Sequence, residues 1–148
     1  MRALVQWVTH GAVRVGDKVV GEIGRGLVVF IGATGTDGDA DVEFLATKVA
    51  NLRIFDDEAG RANLSGLETG AEILVVSQFT LYADTRRGRR PDYLQAAPPE
   101  QAEPLVEAFA ARLEALGLHV ARGRFGARMM VEISNDGPVT IWLDSRDR

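Results

Sequence analysis

Ser77, Gln78 and Thr80 stand in the run "SQFT", at the end of the apolar stretch "AEILVV". The two hydroxyls are candidate nucleophiles, and Gln78 is a weak base but a capable two-way hydrogen bonder. A working serine or threonine needs a base to take its proton. The chain has two histidines, His10 and His119, and the sequence assigns neither to this run, which also lacks a Gly-x-Ser-x-Gly elbow. Hydroxyls at a strand end equally serve to bond neighbouring backbone. Alone, the group describes a polar pocket and names no reaction.

Three further stretches carry candidate chemistry. In "GRFGA", Phe125 stands between the small residues Gly123 and Gly126, which would let a flat ring or base approach the backbone closely. A hairpin turn with a core phenylalanine explains the same residues equally well. "NDGPVT" places Gly137 and Pro138, two backbone specialists, between the alternating runs "MMVEIS" and "IWLDS". Because an X-Pro bond is cis in only about 5–6% of folded cases, residue type alone favours trans there. "TRRGRR" concentrates Arg86, Arg87, Arg89 and Arg90 as phosphate ligands or as a solvated, solubilising loop. No metal is expected. Cysteine is absent, and the acidic residues show no Glu-x-x-His or His-x-x-His spacing. Gly32, Gly35 and Gly38 lack a following Gly-Lys-Ser/Thr, and the nearby aspartates would repel phosphate.

The elements that must position these residues are partly readable. "ALVQWVTHGAVRV" and "KVVGEIG" flank Gly16-Asp17 as a β-hairpin, and "GLVVFIG", residues 26–32, reads as a strand covered on both faces. Val42, Leu45, Val49 and Leu52 mark one face of a helix over 41–52, with Asp39 or Asp41 expected to cap it. "RIFDDEAGRANLSGLETG" predicts a strand edge, a turn over 56–60 and a connection. "AEILVVSQFTLYAD" is a buried strand emerging at its C-terminal end, where open sheets often present ligand groups. Leu105, Phe109, Leu113 and Leu116 mark a second helix, started by Pro98-Pro99 and ended by Gly117. Met129, Val131 and Ile133 share one strand face, and Val139, Ile141 and Leu143 resume the alternation beyond the Gly-Pro break. The expected class is α/β: a strongly curved, barrel-like and mostly β architecture with two principal helices packed outside.

A chain of 148 residues supports one core, so a single domain over 1–148 is expected. The hydrophobic fraction of 46% and charged fraction of 26% fit a soluble globular protein. The opening "MRALVQWVTHGAV" is too polar for a signal peptide, no apolar run is long enough to span a bilayer, and the absence of cysteine fits a reducing compartment. A cytoplasmic protein without a membrane partner is expected. The net charge of −4 argues against gripping a long duplex through many phosphates, though not against a local nucleic-acid contact.

Two long runs, "SQFTLYADTRRGRRP" (77–91) and "GRFGARMMVEISNDGPVTIWLDS" (123–145), with support from "NLRIFDDEAGRANLS" (51–65), closely resemble the D-aminoacyl-tRNA deacylase family, called D-tyrosyl-tRNA deacylases in older usage. The resemblance extends from "RALVQ" to "LDS". It implies a homodimer, without cofactor, that hydrolyses the ester between a D-amino acid and the 3′-terminal adenosine of tRNA. It also implies acceptance of glycine mischarged on tRNA and refusal of L-aminoacyl esters. By resemblance, Gly137-Pro138 is cis and reaches into the partner subunit's site, reversing the expectation from residue type. Ser77, Gln78, Phe79 and Thr80 then line the pocket, with the Phe79 and Thr80 amides as oxyanion donors. Phe125, Gly126, Ala127 and Met129 help receive the terminal adenosine, and the four arginines assist tRNA approach. Water, assisted by the 2′-hydroxyl of the terminal ribose, ranks above Thr80 as the nucleophile. The alternative is a non-enzymatic dimer that binds a tRNA or DNA end. Trp7, Arg61, Ala62 and Arg87 depart from the usual family residues, and Trp7 either alters the tRNA-facing surface or extends the core.

Overall fold

The computed structural model describes residues 1–148. Strand β1 (Arg2–Val15) turns at Gly16-Asp17 into β2 (Lys18–Ile23), and β3 (Gly26–Gly32) follows. Helix α1 (Asp39–Asn51) leads to the short pair β4 (Phe55–Asp56) and β5 (Ala62–Leu64), then to the single-turn helix α2 (Gly66–Thr69). Next come β6 (Glu72–Ser77), a 3₁₀ turn (Phe79–Tyr82), α3 (Pro99–Ala115), β7 (His119–Arg122) and the long β8 (Met130–Asp144).

Strand β1 organises the sheet. One edge pairs antiparallel with β8 along most of its length, and the other pairs with β3 in its first half and β2 in its second. β3, β6 and β7 then run parallel, as the long connections through α1 and α3 require. Register shifts in β1 near Gln6, Val8 and Val13 curve it. The curvature brings β2 back beside β7, where the Gly21 backbone faces the Arg122 carbonyl, so the mixed sheet is a nearly closed, barrel-like wall.

Alternation along the strands divides the apolar residues between two cores. Leu27, Val29 and Ile31 of β3 face α1 and α3, meeting Leu45, Val49, Phe109 and Leu113. Val28 of β3 faces the inside of the curved sheet with Val8, Val13, Ile23, Leu74 and Val76. The two-faced burial expected of "GLVVFIG" is therefore present. Arg112 of α3 pairs with Glu43 of α1 at 2.6 Å. Trp7 extends the core: it is 8% exposed and meets Phe55 edge-on, with its indole N–H buried and unpartnered.

Three local expectations need correction. The N-cap of α1 is Gly38, and neither Asp39 nor Asp41 occupies that position. Asp41 instead reaches back from the first turn to accept the Gly38 N–H at 2.9 Å, satisfying a donor just outside the helix. The connection after "RIFDDEAGRANLS" contains α2, whose N-cap Ser65 and Glu68 exchange hydrogen bonds with each other's backbone N–H groups. Finally, "MMVEIS" and "IWLDS" belong to one strand. Gln6 pairs with Thr140 and Val8 with Asn135, so residues 136–139 bulge out of the ladder opposite a single residue of β1.

Candidate active site

The parallel strands β3 and β6 end side by side at Ile31 and Ser77, and a pocket of about 430 Å³ opens beyond them. Ser77, Gln78 and Phe79 form one wall, Phe125 and Gly126 another, and the small residues Ala96 to Pro99 with Ala102 leave the space between. The chain can turn so tightly here because Gly32 admits it: a Cβ on Gly32 would lie 2.8 Å from the Gln78 carbonyl oxygen. The Gln78 N–H donates to the Ile31 carbonyl at 2.8 Å, extending the ladder by one bond before the chain enters the 3₁₀ turn.

That turn contributes Phe79 to the pocket wall. Phe79 and Thr80 are its first two residues, so their amides have no acceptor within it, and the preceding Gln78 provides no side-chain cap. Two adjacent N–H groups are therefore left without an acceptor in the turn. Gln78 Nε2 donates to Thr80 Oγ1, which fixes the threonine side chain within the turn. Tyr82 anchors the far end: its ring is buried, and burial with the nearby Asp37 and Asp144 pushes its hydroxyl up to about 12, which disqualifies it as a base at neutral pH. Neither histidine serves the hydroxyls, since His10 sits 3.6 Å from Glu22 and His119 sits 3.7 Å from Glu72. The site thus has hydrogen-bond donors and shape, but no histidine placed to deprotonate Ser77 or Thr80.

Arg2 holds the turn from outside. Its guanidinium donates to the Leu81 carbonyl at 2.9 Å and to the Asp144 carboxylate at 3.0 Å, and lies 4.3 Å above the Tyr82 ring. Sequence reading gave this residue no role, because its partners lie 79 and 142 positions away. At the pocket mouth Tyr93 meets Phe79 edge-to-face at 5.0 Å, and both rings are exposed. Tyr93 was also missed; its place beside the arginine run could have drawn attention to it.

The remaining candidates separate in space. Phe125 and Gly126 join Ser77, Gln78 and Phe79 in the pocket lining, whereas Thr80, Ala127 and Met129 are not part of it. Met129 packs against the inner core, and its sulfur accepts the Arg124 N–H at 3.4 Å. The arginines occupy a neighbouring loop closed by reciprocal backbone hydrogen bonds between Asp84 and Asp92, at 2.9 and 3.0 Å. Arg86 is bound back onto Asp84 through both its side chain and its amide, and these bonds hold the Asp84 carboxyl down at about 2. Arg87, Arg89 and Arg90 make no ion pair.

Gly137-Pro138 is cis, as the family resemblance implied and against residue-type expectation. Gly137 has φ +109°, a conformation costly for any residue with a Cβ. The pair sits at the tip of the bulge in β8, exposed and absent from the pocket lining of its own chain. Asn135 closes the neck of this projection: its Nδ2 donates to the Trp7 carbonyl at 2.9 Å and to the Val139 carbonyl at 3.0 Å. The side chain thereby bridges the ladder where backbone pairing is interrupted.

A curved α/β sheet with a cleft at the ends of its parallel strands defines the class: an α/β protein with a ligand-sized pocket at the carboxyl ends of its strands. Comparison with known proteins names the kind. The sequence profile described as "D-Tyr-tRNA(Tyr) deacylase" matches residues 4–144, and the chain belongs to this family of hydrolases, which act on D-aminoacyl-tRNA. It is similar to the D-aminoacyl-tRNA deacylase of Roseiflexus sp. (strain RS-1), with 61% identity over 145 residues, 98% of this chain and 94% of that one. It is also similar to that of Heliobacterium modesticaldum, with 56% identity over 146 residues, 99% of this chain and 97% of that one. A solved structure described as "c-Myc DNA Unwinding Element Binding Protein" matches with TM-score 0.91 and 42% identity, covering 97% of this chain and 98% of that one. A second, described as a probable eukaryotic D-amino acid tRNA deacylase, matches with TM-score 0.84 at 20% identity over 96% of this chain and 97% of that one, a likeness of fold.

Proposed function

We propose that the enzyme works as a homodimer, probing the stereocentre of its substrate with Gly137-Pro138 from the partner subunit and hydrolysing the ester without a side-chain nucleophile. The observation that carries this reading is the bulge in β8. It is fixed at its neck by Asn135 and presents backbone groups outward, away from the pocket of its own chain. Rigid backbone placed against the α-carbon tests where Cβ points, whatever side chain follows. A D-residue passes, an L-residue meets the filter, and glycine passes because it has no Cβ. Mischarged glycyl-tRNA is therefore a second substrate, and the setting of the reaction is the cytoplasm.

At the start of the 3₁₀ turn, the uncapped amides of Phe79, in the pocket lining, and of the adjoining Thr80 receive the ester carbonyl oxygen as it becomes an oxyanion. Water attacks the carbonyl carbon, the 2′-hydroxyl of the terminal ribose assists the proton transfer, and the 3′-oxygen leaves with a proton. An aminoacyl ester is already activated, so orientation and two donors account for the rate. Phe125 and Gly126 help form the wall that receives the adenine. A DNA- or tRNA-end-binding dimer without catalysis draws support from the printed name of the 42% identical structure, but the match of residues 4–144 to the deacylase family favours catalysis.

Subunit mixing tests the cross-subunit filter. Gly137→Ala damages the projection, and Phe79→Pro removes one amide donor. If the two act across the interface, each homodimer is impaired, and isolated mixed dimers regain one intact site. Mixed dimers as inactive as both parents would show that Gly137 serves its own subunit.

A further inference from the structure

The segment after the arginine loop forms a wall between two cavities. Tyr93 and Ala96 line the pocket described above, while Leu94 and Gln95 line a groove of about 440 Å³ with Asp84, Arg86, Arg87 and Asp92. The Ala96 N–H donates to the Tyr93 carbonyl at 3.0 Å, so Leu94 and Gln95 are the two central residues of a tight turn. The turn is pinned on both sides: Asp92 Oδ1 accepts the Leu94 N–H at 3.2 Å, Thr34 Oγ1 donates to the Gln95 carbonyl, and the Ala97 N–H donates to the Ala33 carbonyl. Such central positions favour Gly, Pro, Asn, Asp or Ser. Here one holds a leucine that is 90% exposed, beside the exposed Tyr93 and Phe79 rings.

We propose that this groove binds the nucleotide immediately 5′ of the terminal adenosine. The proposal rests on the deacylase reading above and adds a second subsite to it. A single strand is held by an apolar platform for the base together with cationic groups along the phosphates. Leu94 offers the platform. Arg87, free of any ion pair, reaches the intervening phosphate, whereas Arg86 is already committed to Asp84. Gln95 can both donate to and accept from a base edge. Because a single pinned turn separates the two cavities, a strand whose last base enters the pocket has a short path across that turn. The preceding base is then delivered to the groove.

Two minimal substrates isolate this subsite: D-aminoacyl-adenosine, and the same ester on the dinucleotide CpA. The wild-type enzyme should show about tenfold higher kcat/KM on the dinucleotide, of the order contributed by one stacked base. The double variant Leu94→Ser with Gln95→Ala should lose that advantage and still hydrolyse D-aminoacyl-adenosine at the wild-type rate with an unchanged melting temperature. The proposal is overturned if wild type shows no dinucleotide advantage, or if the advantage survives in the double variant. It is equally overturned if the double variant is impaired alike on both substrates. Wild-type enzyme inactive on both esters but active on D-aminoacyl-tRNA would place recognition elsewhere on the tRNA and also overturn it. Inactivity on all three would remove the deacylase reading itself.

Discussion

Arg86 and Arg87 are adjacent in the chain and differ in what they can do. Arg86 closes its own loop on Asp84, while Arg87 keeps its guanidinium for a ligand. Replacing Arg87 with alanine should raise KM for D-aminoacyl-tRNA several-fold with little loss of kcat, and flatten the dependence on salt. An unchanged KM and salt dependence would make Arg87 part of a merely solvated loop. The Asp84 carboxyl has the reverse experiment. Its folded value of about 2 lies below the ordinary aspartate value, so the clamp is fully in place above about pH 4 and is lost as pH falls through about 2. A ¹³C titration of Asp84 reads this directly, and an ordinary midpoint would contradict the clamp. For Thr80, alanine keeps the amide and removes one hydroxyl hydrogen bond, so deacylation should fall only about 2- to 10-fold. A trapped acyl-threonine that turns over at the catalytic rate would overturn the water mechanism. At this scale residue types were legible, and partners were not. "TRRGRR" announces four arginines, but its letters do not say which one Asp84 takes.

Strand β8 is the element on which the proposed stereochemical filter depends. Its alternation on either side of Gly137-Pro138 was readable because period 2 is local to the strand. Its continuity was not, because that is decided by β1, more than a hundred residues earlier in the chain. The same separation concealed the second job of Asn135, which donates across the opened ladder to Trp7. Asn135→Ala removes the donor that two carbonyls share, so it should cost about 1–2 kcal/mol in denaturant unfolding. It should also lower turnover of D-substrate more than it raises KM. Stability and turnover both at wild-type level would dissociate the neck from the site. The 3₁₀ turn was hidden for a related reason. "SQFTLY" reads as the end of a strand, and only the close approach of Gln78 over Gly32 bends it into a cap on the sheet.

For the whole molecule, curvature is what assembles the pocket. The long β1 carries β8 along one edge and β2 and β3 along the other, and the sheet brings the ends of β3 and β6 together beneath the pocket. The two principal helices and the curled class were legible from periodicity, whereas α2 and the number of strands were not. Strand order depends on pairing between distant segments and was not. No three acidic or histidine side chains gather as metal ligands. Deacylation should therefore survive exhaustive chelation when the Mg²⁺ needed for tRNA folding is restored. Activity that returned only with a stoichiometric, protein-bound transition metal would contradict this. The central claim, that rigid backbone chooses between hands at one carbon, is tested most directly by a single ratio: the deacylation rates of matched D- and L-aminoacyl-tRNA carrying several different side chains. Hydrolysis of every D-ester with uniform refusal of its L-counterpart is the predicted result. Hydrolysis of L-esters, or a D-over-L ratio that depends on the size or polarity of the side chain, would contradict it.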